Sequence, residues 1–525
     1  MGFIDTIKRW RLVQQGMSTG AKRRTQAENR VTGAFNTSPF TRVLLYLIFA
    51  ALVVLLSLSD GTSGPFVNDP MKTSLFAILL TIIAVAIFEF SRVKTPSGMD
   101  ILLVFGSLAV NLALTEAIIW IPETEVFHFT CKLLVLPYVL APMIMAILLG
   151  RNYGIFIVAM YSLYGTLMMP SGYIMDFFIM SLMSGLVTVF LSSNVRKRAS
   201  LLRAGFYAGI TIMILGILLR YVDFSMLRFD DVQMWKVFVF NLSSALACSL
   251  IVSMVVGGIL PILESAFGLI TNIRWLELSD LNHPLLRKMQ LEAPGTFHHS
   301  LVMASLAESA AESVGANASM CRVCAYFHDI GKLKKPEYFI ENQGDVNPHD
   351  SLTPTMSALI IIAHVKDGID LAIKHKLNKK IIDVIKEHHG DSLVYYFYRK
   401  AKETSNPEGD DSESKSSESA FDVDEKNFRY PGPKPGSKES GIISIADAIE
   451  SASRTMTKPS PQKIRTLVED IVKSRINDGQ LDRCQLSLEE LAKVKASFAK
   501  TLRSMLHNRI DYPKENDNSR TNQSH

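Results

Sequence analysis

The chain has 525 residues, 48% of them hydrophobic, with a formal net charge of +5 and a mean hydropathy of +0.19. That composition is too apolar for an ordinary soluble multidomain protein and leaves room for a membrane domain plus a soluble one. The five cysteines make no disulfide framework, which suits a soluble part that faces a reducing cytosol.

Residues 1–42 form a basic N-terminal tail, with Lys8, Arg9, Arg11, Lys22, Arg23, Arg24 and Arg30 set against Asp5 and Glu28. The first apolar run begins after Arg42, too far in and too well followed by further runs for a cleaved secretory signal. The tail therefore reads as retained and cytoplasmic. The positive-inside rule accounts for its charge, and no aromatic interleaving supports a nucleic-acid-binding arm.

From 43 to 260 the sequence is a series of apolar runs long enough to cross a bilayer, since about 20 residues span about 30 Å. They fall at 43–59, 73–90, 101–120, 131–149, 153–169, 173–193, 204–219 and 237–260, about eight helices, with seven left open because the fifth and seventh are short. Arg92, Lys94, Arg151, Arg196, Lys197, Arg198 and Arg203 follow the even-numbered runs, whereas the opposite loops carry Asp60, Asp69, Glu123, Glu125, Asp223, Asp230 and Asp231 with Arg228. This bias places both termini in the cytoplasm. Glu116 and Asp176 lie within or near the runs, where burying a charge is costly, and snorkelling to water is the expected outcome for both.

Residues 261–293 read as a juxtamembrane helix and linker, and 294–512 as an all-helical domain. Leu301–Ala311 repeats its apolar residues at three and four, Met320–Asp329 ends at Ile330-Gly331 with the glycine as a helix stop, and Asn378–His389 stops at Gly390. A serine-rich acidic tract at 402–426 cannot bury a core and reads as a disordered insert. Helices are expected at 441–454, 461–478 and 487–508, the last opened by a capping box of Ser487 and Glu490. A polar tail fills 513–525. Cys321 and Cys324 form a C-x-x-C with no second thiol pair nearby, so buried helix packing is the reading of that pair.

Eight of the twelve histidines lie between His298 and His389. Within that interval His328-Asp329 offers an imidazole and a carboxylate that can share one metal, with a carboxylate oxygen left over to bridge to a second. His298-His299, His364 and His388-His389 are the remaining candidates, and Asp447 is a later carboxylate in an apolar helical setting. Successive side chains on a helix point about 100° apart, so His388 and His389 do not easily serve one small ion, whereas two adjacent ions use both. The same geometry leaves His298 without an inward role.

The phrases Leu276-Glu-Leu-Ser-Asp280, Pro284-Leu-Leu-Arg287, Ala293-Pro-Gly-Thr-Phe-His-His-Ser300, Tyr326-Phe-His-Asp-Ile-Gly-Lys332, Pro336-Glu-Tyr-Phe-Ile-Glu-Asn-Gln343, Asn347-Pro-His-Asp350 and Glu387-His-His-Gly390 occur in an order that is more specific than any single motif. On them, residues 262–512 resemble the cytoplasmic part of the seven-transmembrane HD-hydrolase receptor family, the PgpH-type cyclic di-AMP phosphodiesterases. Members typically carry a large extracytoplasmic domain after the first span, where this chain has only Ser59–Lys72.

The resemblance implies an all-α fold, a polytopic helical membrane domain followed by an all-helical cytoplasmic HD-type metallohydrolase. It implies that His299, His328, Asp329 and Asp447 hold one divalent metal and that His364, His388, His389 and the shared Asp329 hold another. Five imidazoles and two carboxylates suit manganese or iron without excluding zinc. Two such ions activate water for in-line attack at phosphorus, and the expected reaction is hydrolysis of cyclic di-AMP to linear pApA at the bacterial inner membrane, with the HD domain in the cytosol. Asp329 and Lys332 are the expected catalytic residues, and Lys332 and Arg454 the expected phosphate contacts, although Lys332 reads equally as a solvated helix-end cation. His349 is a further candidate in the substrate pocket beside its plain reading as a loop contact. Expected partners are the cyclic dinucleotide and the lipid bilayer, with a homodimer left open and no nucleic-acid polymer. The competing readings are an HD hydrolase of another nucleotide and a membrane receptor whose HD domain only binds nucleotide.

Overall fold

The computed structural model describes residues 35–58, 70–90, 96–124, 127–193, 195, 197–222, 232–405, 423–456 and 459–507. The basic tail up to residue 34, the loop charges Asp60, Asp69, Arg92, Lys94, Glu125, Arg196, Asp223, Arg228, Asp230 and Asp231, residues 406–422 of the acidic insert and the polar tail 513–525 lie outside the described residues. Every regular element among the described residues is helical, and a single isolated bridge joins Leu393 to Arg429. The chain divides into two units, Met1–Ile273 and Arg274–His525.

In the first unit, seven helical stretches among the described residues are long and apolar enough to cross a membrane. They are α1 (Pro39–Ser57), α2 (Pro70–Phe90), α3 (Gly98–Ile119), the pair α4 (Phe129–Val135) and α5 (Leu140–Leu148), then α7 (Ile174–Ser192), α8 (Ala199–Leu218) and α9 (Val232–Phe267). The remaining one of the eight expected runs is α6 (Arg151–Thr166), helical as expected, though its 16 residues reach about 24 Å, below the length of the other seven. The run expected to continue to 169 leaves the helix after Thr166 and turns ahead of Pro170.

Pro137 explains why α4 and α5 are separate. Having no N–H, it cannot bond the carbonyl of Leu133 four residues back; the Tyr138 hydroxyl donates to that carbonyl instead, at 2.8 Å. The same need for partners organises the interior. Tyr161 and Thr115 meet at 2.7 Å, Tyr164 donates to Thr81 at 3.0 Å and Ser181 to Ser162 at 2.8 Å, each bond joining two helices where lipid offers no alternative. Outward, Leu47, Ile48 and Leu55 of α1 and Leu79, Ile82 and Ile83 of α2 remain exposed.

Glu116 does not snorkel: it is buried and accepts the Trp120 indole N–H at 2.9 Å. Asp176 accepts from the Tyr221 hydroxyl. Buried Lys132 donates to the Ile119 carbonyl at 2.8 Å. Helix α9 runs without a break through Pro261 to Phe267, so the juxtamembrane helix expected from 261 is continuous with the last membrane-length helix.

α10 (Asn272–Leu278) lies at the boundary of the two units. The second unit then contains α11 (Pro284–Glu292), α12 (Pro294–Ser313), α13 (Ala318–Phe327), α14 (Pro354–Lys374), α15 (Lys379–Glu387), α16 (Tyr395–Ser405), α17 (Lys438–Ser453), α18 (Pro461–Asn477) and α19 (Leu488–His507). Helix α12 is the hub, packing on α13, α17 and α19 through buried Ala304, Ala307, Ala310 and Ala311, small side chains that let neighbours approach. Asn317, Thr353, Asn378 and Ser437 cap α13, α14, α15 and α17 by accepting backbone N–H groups. The capping box of Ser487 and Glu490 forms in both directions, at 3.1 and 2.9 Å.

Gly331 is not the helix stop its position suggests. Helix α13 ends at Phe327, and Gly331 lies in a 3₁₀ turn, Ile330–Lys334, packed against α14. A Cβ there would stand 1.9 Å from the His364 carbonyl oxygen and 2.5 Å from the Gly368 nitrogen. Both obstacles are backbone, so glycine is needed for the approach itself. Gly331→Ala should destabilise this unit by about 2 kcal/mol or more, read as a lower urea midpoint for the full chain; an unchanged midpoint would contradict the close approach.

Candidate metal centre

The cluster is assembled from helix ends and helix interiors of the second unit. His299 projects from the second turn of α12, His328 caps the end of α13 with Asp329 just beyond it, and His364 sits within α14. His388 caps α15, and Gly390, at φ +57°, turns the chain away so that His389 also faces inward. Asp447 and Glu450 come from one face of α17, three residues apart.

Asp329 divides the histidines between its two oxygens. Oδ2 lies 3.2 Å from His328 Nε2 and 3.8 Å from His299 Nε2, while Oδ1 lies 3.4 Å from His364 Nε2 and 3.7 Å from His388 Nε2. Asp447 repeats the pattern, with Oδ1 at 3.1 Å from His299 Nε2 and 3.9 Å from His328 Nε2, and Oδ2 at 3.6 Å from His389 Nδ1. Two sets of ligand atoms therefore lie within 4.8 Å of one another, His299, His328 and Asp329 in one and Asp329, His364, His388 and His389 in the other. Asp447 stands outside both at that limit and faces each with one oxygen.

The donor set fits divalent cations. His328 Nε2 and Asp329 Oδ1 are buried without a hydrogen-bond partner, a costly state for polar atoms unless a further partner completes them. His328, His364 and His388 each turn Nδ1 to the carbonyl three residues back, of Ala325, Ile361 and Ile385, at 2.7, 2.6 and 2.8 Å. This leaves Nε2 of all three directed at the cluster, with its lone pair available.

The surroundings shift the titrations in opposite directions. Burial opposes charge on Asp329, yet His328 and Lys332 hold its carboxyl well below the ordinary carboxylate range. Burial lowers His364 to about 4 against the pull of Asp329 and, with His388 beside it, holds His389 well below its ordinary value; both are neutral imidazoles at neutral pH. Burial would lower His299 too, but the carboxylates of Asp447 and Glu450 outweigh it and raise it to about 9.

The expected phosphate contacts are already engaged. Lys332 Nζ lies 2.8 Å from Asp329 Oδ2 and 2.7 Å from Glu341 Oε1, over the Phe339 ring at 4.9 Å. Arg454 Nε donates to Glu450 Oε1 at 2.9 Å. His349 is buried, donates Nε2–H to the Tyr338 carbonyl at 2.9 Å and packs on Phe397. His298 is exposed, while its neighbour His299 is buried. A cleft of about 210 Å³ lined by Gly331, Phe339, Met356, Leu359 and His364, with Lys334 and Lys335, opens beside the cluster.

Sequence reasoning did not single out Glu341, Glu450 or Tyr430. Glu341 holds Lys332 and accepts the Thr296 hydroxyl at 2.9 Å; Tyr430 stacks on His389 with ring centroids 4.3 Å apart. For Glu450 the available signal was its spacing of three from Asp447, which puts both on one helix face.

Residues 70–271 match the family model described as a 7TM receptor with intracellular HD hydrolase, and residues 296–452 match that of the HD domain. The chain is 35% identical over 447 residues to the cyclic-di-AMP phosphodiesterase PgpH of Listeria monocytogenes, covering 84% of this chain and 59% of that one. It is 40% identical over 333 residues to the protein of the same name from Bacillus subtilis, covering 63% and 44%. The chain thus spans about half the length of the curated relatives it matches. A crystal structure of the L. monocytogenes PgpH HD domain in complex with cyclic-di-AMP is 43% identical, covering 44% of this chain and 100% of that one, with a TM-score of 0.39. With its membrane-length helices followed by an HD domain, this chain belongs to the family of 7TM receptors with an intracellular HD hydrolase.

Proposed function

We propose that this chain is a membrane-anchored, metal-dependent phosphodiesterase that opens cyclic di-AMP to linear pApA on the cytosolic side of a bacterial inner membrane. The observation that carries the reading is the pair of buried, partnerless atoms His328 Nε2 and Asp329 Oδ1 at the centre of five imidazoles and two carboxylates. His299, His328, Asp329 and Asp447 would hold one divalent ion and His364, His388, His389 and Asp329 the other, manganese or iron by the oxygen and nitrogen donors. Two ions so placed supply a nucleophile from water near neutral pH and offset charge at phosphorus. Substrate identity rests on the names of the relatives, and orientation on the Lys/Arg bias of the loops.

The chain's own groups contribute orientation and charge. Asp329 is kept ionised by His328 and Lys332, so both its oxygens remain acceptors. Lys332, itself held by Glu341, acts on the reaction through Asp329. His364 and His389 stay neutral and keep a lone pair available.

Purified full-length protein supplied with manganese should convert cyclic di-AMP to pApA, and the His328→Ala, Asp329→Ala double variant should lose at least about 10³-fold in turnover, because the residues act as a unit. Preference for a mononucleotide would defeat the substrate assignment. Undiminished turnover in the double variant would defeat the site.

Metal binding should also release protons. Because metal-free His299 keeps its proton up to about pH 9, an ion taking Nε2 at pH 7.5 must displace it, and affinity rises with pH until about 9. Calorimetric titration of manganese into metal-free protein at pH 7.5, repeated in buffers of different ionisation enthalpy, should show about one proton released; no dependence on buffer would contradict the charge state given to His299.

A further inference from the structure

His299 is supported differently from its neighbours. Where His328, His364 and His388 rest Nδ1 on backbone carbonyls, His299 rests Nδ1 on the carboxylate of Glu450. Glu450 is itself buried, at 3% exposure. Its other oxygen accepts Arg454 Nε–H at 2.9 Å, and its backbone carbonyl accepts the Ser453 hydroxyl at 2.8 Å. One face of α17 therefore presents two carboxylates to the two nitrogens of one ring, Asp447 to Nε2 at 3.1 Å and Glu450 to Nδ1.

We infer that Glu450 is a positioning residue for one of the two ion sites, fixing His299 as the Nδ1–H tautomer with Nε2 turned to the cluster, and that Arg454 acts by holding Glu450 rather than by touching substrate. The reasoning is electrostatic as well as geometric. A buried anion behind an imidazole makes the opposite nitrogen a stronger donor than a neutral carbonyl does, and such supports are worth about 10- to 100-fold in metal affinity. Among the described residues no carboxylate stands in that position behind the second set, where His364 and His388 rest on carbonyls and His389 uses Nδ1 itself to face Asp447. The two sites are consequently unequal: once His299 has given up its proton, the one built on it binds more tightly and fills first. Charge relief at Arg454 follows from the same arrangement, since its Nε–H is spent on Glu450, while its side chain remains 37% exposed.

The inference rests on the two-ion reading above, and the experiment separates the two. Metal-free full-length protein in detergent is titrated with manganese by calorimetry, with bound metal counted after gel filtration, for the unaltered chain, Glu450→Gln and Arg454→Ala. The unaltered chain should bind two equivalents. Glu450→Gln, nearly isosteric, should weaken the tighter event by about 10- to 100-fold and leave the weaker within about twofold. Arg454→Ala, at a partly exposed position that leaves the core intact, should weaken the same event by a smaller factor and leave KM for the cyclic dinucleotide unchanged. Two events of unaltered affinity in Glu450→Gln would overturn the inference, as would equal weakening of both, which marks a merely structural role. A raised KM with normal metal binding in Arg454→Ala would return Arg454 to the substrate. Failure of the unaltered chain to bind two ions would overturn the two-ion reading itself.

Discussion

A buried carboxylate governs the second unit. Asp329 is 1% exposed, and taking an ionised carboxylate out of water costs several kcal/mol unless opposite charge and hydrogen bonds compensate. Lys332 supplies the charge at 2.8 Å. Four imidazole nitrogens surround the two oxygens at 3.2 to 3.8 Å, which is wide for hydrogen bonds and suited to cations placed between. The helices meet this requirement: α12, α13, α14 and α15 each deliver an imidazole to Asp329, and α17 carries Asp447 opposite it.

The supports form chains that lead outward. Asp329 is braced by Lys332, Lys332 by Glu341, and Glu341 by Thr296 on α12; His299 is braced by Glu450, and Glu450 by Arg454. The second chain ends near water, at the partly exposed Arg454, whereas the first ends on the buried hydroxyl of Thr296. The membrane-length helices obey the same rule in a different solvent. There the buried polar groups are mostly hydroxyls and the partners lie one helix away, as in Thr115 with Tyr161 and Thr81 with Tyr164. A proline that removes one donor is answered by the tyrosine beside it.

Much of this was legible in the sequence, for physical reasons. Histidines are scarce and chemically marked, so a concentration of them around His328-Asp329 points to a common centre, and helix stops such as Gly390 show where two consecutive side chains can both turn inward. Apolar runs report membrane-length helices directly, because lipid requires about 20 such residues. What remained hidden was which side chain each charge is paired with, even where the partner is close in sequence. Lys332 and Arg454 look like free cations until Glu341 and Glu450 are seen beside them, and an acidic residue on an amphipathic helix is ordinarily a solvated one. Gly331 was noticed for the wrong reason, since close backbone approach and helix termination leave the same residue in the sequence. The α6 run reads longer in the sequence than its helix, because apolar composition continues through Leu167–Met169 after the helix has ended.

On the proposed two-ion reading, Asp329 would give one oxygen to each of two neighbouring cations. Anomalous diffraction from crystals of the manganese-loaded chain tests it most directly. Two peaks about 3.5–4 Å apart are expected, one among His299, His328 and Asp447 and one among His364, His388 and His389, with Asp329 between them. A single peak, or peaks that leave Asp329 without a metal contact, would contradict the account.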